Sequence, residues 1–375
     1  MRNRTPLIAL LATLVIAAAG CGGATVTADA PMPPDRLQPY AVFDRMPSGV
    51  AVAGDRVFVS FPRWVEPGAF TVAELVDGAP VAWPNAAAND LDAGPHTLHS
   101  VNGIHADNHG RLWVLDNGRV DLAPAMPGAP KLVVYDIATG DELFRHTFDA
   151  ALAPPDGSFL NDVVVSEDHG FAYITDSGIG GTPGLIVYEI AADRAWRALD
   201  GHASVRPDPS DVMTIDGEVV QLHRPDGAVP WRVAVNAIAL SQDDATLFYG
   251  PMTSRTLYGV PTVVLRDPDA TPDARAEAVF AAADKPITDG IASLDGAVWF
   301  TDCESEAVRV WVEGDEPGLA PPEFTDERMS FPVAIEPTAD ALWVTSNQLH
   351  RMPLIRAGDD GRTPPFYLWR IPFDR

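Results

Sequence analysis

Six segments of this chain begin alike, and the residues just ahead of them are Ser48, Asn102, Asn161, Asn236, Asp289 and Pro332. Four of the six are Asn or Asp, side chains that offer a ligand amide or carboxylate oxygens and amide donors. Asp162 stands beside Asn161, and a second polar set, Asp116, Asn117, Asp176, Ser177, Asp302 and Asn347, follows where the next segments end. If these sets converge, they could hold a cationic or polyhydroxylated small molecule. The competing reading is turn chemistry, because Asn and Asp bond readily to nearby backbone where a strand starts or stops. Both readings stay open. Other reactive side chains carry less. His96 and His99 (HTLH) lack paired ligands to complete a zinc site. His105 lies within an apolar segment and reads as packed and hydrogen-bonded. Cys303 has no His near it in sequence and reads as a buried, inert thiol. No phosphate-cradling loop, serine nucleophile motif or dinucleotide fingerprint occurs, so no catalytic residue is named.

The elements that must position these residues are repeats. GVAVAGDRVFVSF from Gly49, GIHADNHGRLWVLDNG from Gly103 and DVVVSEDHGFAYITDSG from Asp162 align with AIALSQDDATLFYGPMT from Ala237, GIASLDGAVWFTDCES from Gly290 and VAIEPTADALWVTSNQL from Val333. Each is an apolar strand, a polar turn and a second strand with an aromatic at a fixed place: Phe58, Trp113, Tyr173, Phe248, Trp299 and Trp343. Six units spaced by about 57 residues predict an all-β fold, a single six-bladed β-propeller with four-stranded blades. Intervening segments such as KLVVYDIATGDELFRHTF, which turns at Thr139-Gly140, supply the outer strands. Apolar inner strands suit burial on both faces, and 35 prolines with 30 glycines suit a loop-rich all-β chain. Ring closure is expected to pair a strand near Tyr40–Phe43 with the C-terminal FYLWRI segment. In such a ring, inner strands begin and second strands end on one face, which places both polar sets at one mouth of the central channel.

The N-terminus adds a location. Arg2 and Arg4 precede an uncharged apolar run from Pro6 to Gly20 that stops at Cys21. A basic start, a short apolar core and small residues before the break describe an export signal, too short for a comfortable membrane span. Ala18, Ala19 and Gly20 ahead of Cys21 resemble a bacterial lipobox, in which the Cys thiol is acylated; the departure is Ala18, where such boxes usually carry Leu. The expected organisation is therefore a signal peptide over residues 1–20, a lipid-anchored flexible tether over 21–38 and the propeller over 39–375. Location follows as the bacterial cell envelope, exported and lipid-anchored, or secreted if Cys21 is not acylated, with contact to the membrane through that lipid only. The formal net charge of −26 argues against nucleic acid as a partner. A small molecule is the expected partner, and a monomer the expected state.

At this level of detail the chain resembles a known family. NGIHADNHGRLWVLDNG, SFLNDVVVSEDHGFAYITDSG, GLIVYEI, AWRALDGHASVRPDP, FYGPMTSRTLYGVPTVVLRD, TDGIA and VTSNQLHRMP follow one another as in the royal jelly/yellow family, from about Phe43 to Phe373, the lipobox marking a bacterial branch. The resemblance implies a propeller whose activity is not fixed by fold. Some members are associated with dopachrome conversion, some bind biogenic amines in the central cavity, and others are storage or structural proteins. The expected ligand-binding residues are Asn102, Asn161, Asp162, Asn236, Asp289 and Asn347. A weaker likeness joins Asn161, Asn236 and Asp289 to the metal ligands of gluconolactonase-type six-bladed propellers, which add a Glu from the first blade. The likeness implies a divalent cation such as calcium. Here the first blade offers Met46, Pro47 and Ser48 instead, which predicts weak binding or none. Two functions stand side by side: a propeller that binds a small organic molecule in its channel, and an enzyme, either a metal-assisted lactonase or a dopachrome-converting isomerase.

Overall fold

The computed structural model describes residues 37–373 apart from 65, 167 and 168. The export signal, Cys21 and most of the tether lie outside the described residues. Among those described, six antiparallel four-stranded sheets follow one another around a ring. Their inner strands are Val50–Ala53, Val101–Ala106, Leu160–Ser166, Val235–Leu240, Ile291–Leu294 and Pro332–Pro337, and each touches the next, the last closing onto the first. The fold is the six-bladed propeller that the repeats predict.

Closure works as expected. The strand Pro39–Phe43 pairs with Phe366–Pro372, which pairs in turn with Ala341–Ser346, so the sixth blade draws strands from both ends of the chain. Leu37 is already fully buried, and its carbonyl accepts a hydrogen bond from Arg328, so the domain holds the chain from that residue onward. The repeating aromatic packs between blades: Phe58, Trp113, Tyr173, Phe248 and Trp343 are buried, and Trp299 is half-buried. Between the second and third blades, for example, Trp113, Leu115, Val163, Ile174 and Ile186 share one apolar cluster. Removing such side chains from water is the main driving term.

A hydroxyl near the end of the second strand stitches neighbouring blades. Ser60 Oγ accepts from Gly49 N (2.7 Å) and donates to Asn102 O (2.6 Å) of the next blade. Thr175 Oγ1 accepts from Asp162 N (3.1 Å) and donates to Asn236 O (2.9 Å). Thr345 Oγ1 accepts from Ala334 N and donates to Ser48 O (2.5 Å), which fastens the last blade to the first. The axis is crowded: a Cβ on Gly103 would lie 2.7 Å from Asp162 Oδ1, so only glycine fits there.

Candidate functional site

The inner strands do not enter the ring smoothly. Their pairing slips between Val101 and Ile104, Leu160 and Val163, Val235 and Ala237, and Pro332 and Ile335. A bulge puts an extra residue against its partner strand and re-aims the side chains there. Asn102, Asn161, Asp162 and Asn236 occupy these bulges. They therefore lie inside their strands, one or two residues in, and not ahead of them as the alignment suggested. Asp289 precedes its strand.

Together these residues wall a cavity of about 650 Å³ on one face of the ring. All six expected ligand-binding residues, Asn102, Asn161, Asp162, Asn236, Asp289 and Asn347, line it. They are not equally available. Asn347 is spent on structure: its Nδ2 donates to Pro47 O (2.9 Å) and its Oδ1 accepts from Leu349 N (3.0 Å). Asn102 Oδ1 accepts from Trp64 Nε1 (3.0 Å). Asn161 Nδ2 donates to Ser177 Oγ (3.1 Å), which leaves its oxygen without a protein partner among the described residues. Asn236 Nδ2 donates to Asp289 Oδ1. Asp162 bonds only to the N–H of its neighbour Val163 and to no other described group through its carboxylate.

Burial pushes the Asp162 carboxyl up to about 7. Burial also raises Asp289 to about 7, the Asn236 hydrogen bond opposing and the Asp162 charge reinforcing the shift. Taking a carboxylate out of water disfavours its charged form, which is the common cause. The floor of the cavity is thus a pair of carboxyl groups poised between charged and neutral near physiological pH.

The second-strand ends divide differently. Asp116, Asp176 and Asp302 are buried beneath the cavity wall and absent from its lining; they are paired with Lys131 (2.8 Å), Arg197 (2.7 Å) and Arg309 (2.6 Å). Each also receives backbone N–H bonds from the loops that cross it, as Asp176 Oδ1 does from Phe159 N (2.7 Å) and Gly178 N (3.1 Å). These three carboxylates organise the loops and are not available to a ligand in the cavity. Ser177 does line the cavity, while Asn117 is buried with its Oδ1 on Arg119 N. Cys303 is free and buried, and its thiol is pushed well above the ordinary range by burial. His99 is buried with Nε2 3.0 Å from Gly94 O.

A roof completes the cavity, and sequence reasoning missed it. Between the third and fourth blades runs an insertion carrying the hairpin Gln221–Arg224 with Gly227–Pro230. His223 N donates to Leu354 O (3.1 Å), which ties the hairpin to the loop following the 3-10 turn Leu349–Arg351. Leu222, Trp231, Leu349, Met352 and Ile355 give the cavity apolar upper walls. The signal available was the length of chain between the third and fourth repeats and the aromatic Trp231 just before VAVNAIAL. At the other end of the channel a second cavity of about 450 Å³ opens, lined among others by His105, Ser293 and Glu336. Asp162 lines both cavities. Glu336 was also missed; a Glu in the otherwise apolar strand VAIEP was its signal.

A metal centre fits this geometry poorly. Among the described residues no group of three or more His, Cys, Asp or Glu side chains is placed to hold a metal ion. Of Asn161, Asn236 and Asp289, the lone carboxylate already accepts the Asn236 amide. The first blade contributes Ser48, Gly49 and Trp64 to the wall and no carboxylate. A hard divalent cation seeks several oxygen ligands with compensating charge, and this set lacks them.

Residues 99–356 match the family of the major royal jelly protein. The chain belongs to that family. Protein yellow of Drosophila subobscura is 29% identical over 290 residues, covering 72% of this chain and 49% of the relative. Protein yellow of Drosophila melanogaster is 27% identical over 290 residues, 72% of this chain and 52% of the relative. This royal jelly/yellow propeller thus spans about half the length of the curated relatives it matches. Among solved structures it is similar to the calcium-binding protein regucalcin from Agrobacterium tumefaciens (TM-score 0.51, 14% identity, 87% of this chain and 89% of that one). It is also similar to a luciferin-regenerating enzyme (TM-score 0.52, 12% identity, 89% and 94%). At these identities the likeness is one of fold.

Proposed function

We propose that this royal jelly/yellow propeller is an exported, lipid-anchored monomer that binds a small organic molecule in the roofed cavity. The observation that carries the binding reading is convergence. Strand bulges from three blades, with Asp289 from a fourth, bring Asn102, Asn161, Asp162, Asn236 and Asp289 to one floor beneath apolar walls. A concave, largely apolar site with a few placed polar groups is what small-molecule recognition requires. Support for export and anchoring is the run from Arg2 to Cys21. Among the described residues no helix is long and apolar enough to cross a membrane.

The binding reading is tested by thermal melts of the purified protein against a panel of amines and polyols, with EDTA and then with millimolar calcium. A hit should bind about tenfold more weakly, or worse, to Asn236→Ala and Asp289→Asn, since each loses a hydrogen bond at the floor. A hit indifferent to both variants would bind elsewhere and sink the reading. Calcium should leave the melt unmoved. A shift of a few degrees that Asp289→Asn removes would put a cation at the floor, because saturation a hundredfold above Kd stabilises by about 2.7 kcal/mol. For location, Cys21→Ser should move the protein from the membrane fraction to the soluble one on fractionation; unchanged membrane retention would remove the lipid from Cys21.

A second reading is catalysis. Carboxyl groups near 7, as at Asp162 and Asp289, suit general acid–base work at neutral pH. Turnover of dopachrome or of a lactone that vanishes in Asp289→Asn while binding survives would favour it.

A further inference from the structure

The channel has a second mouth, and its charge differs from that of the roofed one. Three arginines, Arg206, Arg224 and Arg232, line the roofed cavity. No lysine or arginine is among the residues lining the lower cavity, where the titratable groups are Asp162, Asp244, Asp295, Glu336 and His105. Asp162 and Glu336 belong to the inner strands of the third and sixth blades. Asp244 and Asp295 stand in the turns that end the inner strands of the fourth and fifth blades. The same turns of the first, fourth and sixth blades present Asp55, Asp243 and Asp340, all exposed. Asp340 pairs with Arg370, whereas Asp55 and Asp295 enter no ion pair among the described residues.

Acidic turns are ordinary hairpin chemistry. Two groups inside the mouth are not. Glu336 has neither a hydrogen bond nor a cation to oppose the burial that pushes its carboxyl up to about 8. Ser293 Oγ is fully shut off from solvent and has no hydrogen-bond partner among the described residues. Polar groups buried without partners cost free energy, and both of these line the one cavity. Every blade also gives that cavity a branched aliphatic side chain: Val50, Ile104, Val163, Ile238, Ile291 and Ile335. The mouth thus combines an aliphatic collar, negative charge and an unused hydroxyl. A lysine side chain matches each part. Its four-carbon stem packs on apolar surface while its compact ammonium seeks charge. Asp162, Glu336 and Ser293 Oγ offer one acceptor for each of its three N–H groups.

We propose that the lower mouth is a docking socket for a basic polypeptide, which inserts one lysine through the aliphatic collar to Asp162, Glu336 and Ser293 and lays its flanking cations on the turns carrying Asp55 and Asp295. Asp55 lies outside the cavity lining, so a lone small cation in the socket leaves it unused, while a chain crossing the mouth reaches it. The acidic turns also steer a basic partner towards the mouth. The socket is independent of what the roofed cavity binds.

The test is fluorescence anisotropy at pH 8.5 and low salt, with two labelled peptides. One is Gly-Arg-Gly-Lys-Gly-Arg-Gly; the other is the same peptide acetylated on its lysine, which keeps the stem and removes the charge. The unmodified peptide should bind about tenfold tighter than the acetylated one. Glu336→Gln should weaken the unmodified peptide about tenfold and leave the acetylated one unchanged. Glutamine keeps the side chain's shape, and a melt at pH 5 reports that the variant folds. Ser293→Ala, which deletes an unbonded hydroxyl, should keep the wild-type melting temperature and weaken the unmodified peptide about threefold. A single capped lysine should displace the peptide only at concentrations about a hundredfold above the peptide's own Kd. The proposal is overturned if the two peptides bind alike, if Glu336→Gln binds the unmodified peptide as wild type does, or if neither peptide binds. Attraction to the acidic surface alone would give the first two results together. A capped lysine as potent as the peptide would make the socket a small-cation site and overturn the polypeptide partner.

Discussion

Replacing Asp116 with alanine is expected to destabilise the protein by about 4 kcal/mol, the largest single loss among the polar residues singled out from the sequence. Asp116 and Lys131 are both fully buried, and the ammonium lies 2.8 Å from Oδ2. The same oxygen accepts His99 N (2.7 Å), while Oδ1 accepts Ser100 N and Gly118 N (2.9 Å each). Burial alone would raise this carboxyl; the Lys131 charge and the N–H bonds overcome it and hold Asp116 below the usual carboxylate range. Its stabilisation is therefore fully present above pH ~4, where an unfolded Asp is ionised, and is lost only as the pH falls through the lower folded value. At neutral pH the alanine variant would strand a buried ammonium, left with the Ala129 carbonyl, and three loop N–H groups. Asp116→Asn should lose less, because it keeps an acceptor for part of this set. Thermal and urea melts at pH 7 measure both. A loss under about 1 kcal/mol, coupled to weaker binding in the cavity, would return Asp116 to the ligand site.

That case shows where sequence reading reached its limit. Asp116 and Asp162 are the same residue type at the same mouth of the ring, and both were candidates. What separates them is a lysine 15 positions downstream that folds onto one and not the other. Such a pairing crosses strands of a blade and leaves no spacing to read. The blade repeat was legible because burial between blades forces an aromatic at one register position, as Phe58, Trp113 and Tyr173 show. Closure was legible because unpaired strands at both termini must find each other. The bulges were not, since a bulge adds one residue without altering the apolar pattern around it. The roof was invisible for another reason. Its hairpin residues Gln221, His223 and Arg224 are exposed and carry no repeat, so only the contact of His223 with Leu354 reveals what they cover.

Glu336→Gln is expected to stabilise the protein at alkaline pH and to be nearly silent at acid pH. Glu336 faces the lower end of the channel, where burial, reinforced by the Asp162 charge, pushes its carboxyl up to about 8. Its folded pKa lies above the unfolded value of 4.5, so the folded chain keeps a proton that the unfolded chain releases. Stability contributed by the neutral side chain is intact below pH 4.5 and is lost progressively as the pH rises through 8. Glutamine keeps the shape without the titration and escapes that loss. A tenfold difference in proton affinity between folded and unfolded chain is worth about 1.4 kcal/mol. The side chain touches the channel space, where solvent screens part of this effect, so the gain at pH 8.5 is roughly 2 kcal/mol. The comparison is made between variant and wild type at each pH. His350, held at about 4, and Lys285, held at about 7, both by burial, then cancel. The other titratable groups on this cavity wall are His105, Asp162, Asp244 and Asp295, and the charge of Asp162 acts on Glu336. A variant that melts with wild type at pH 5 and at pH 8.5 alike would mean that water reaches Glu336 freely. The two ends of the channel would then be electrostatically separate.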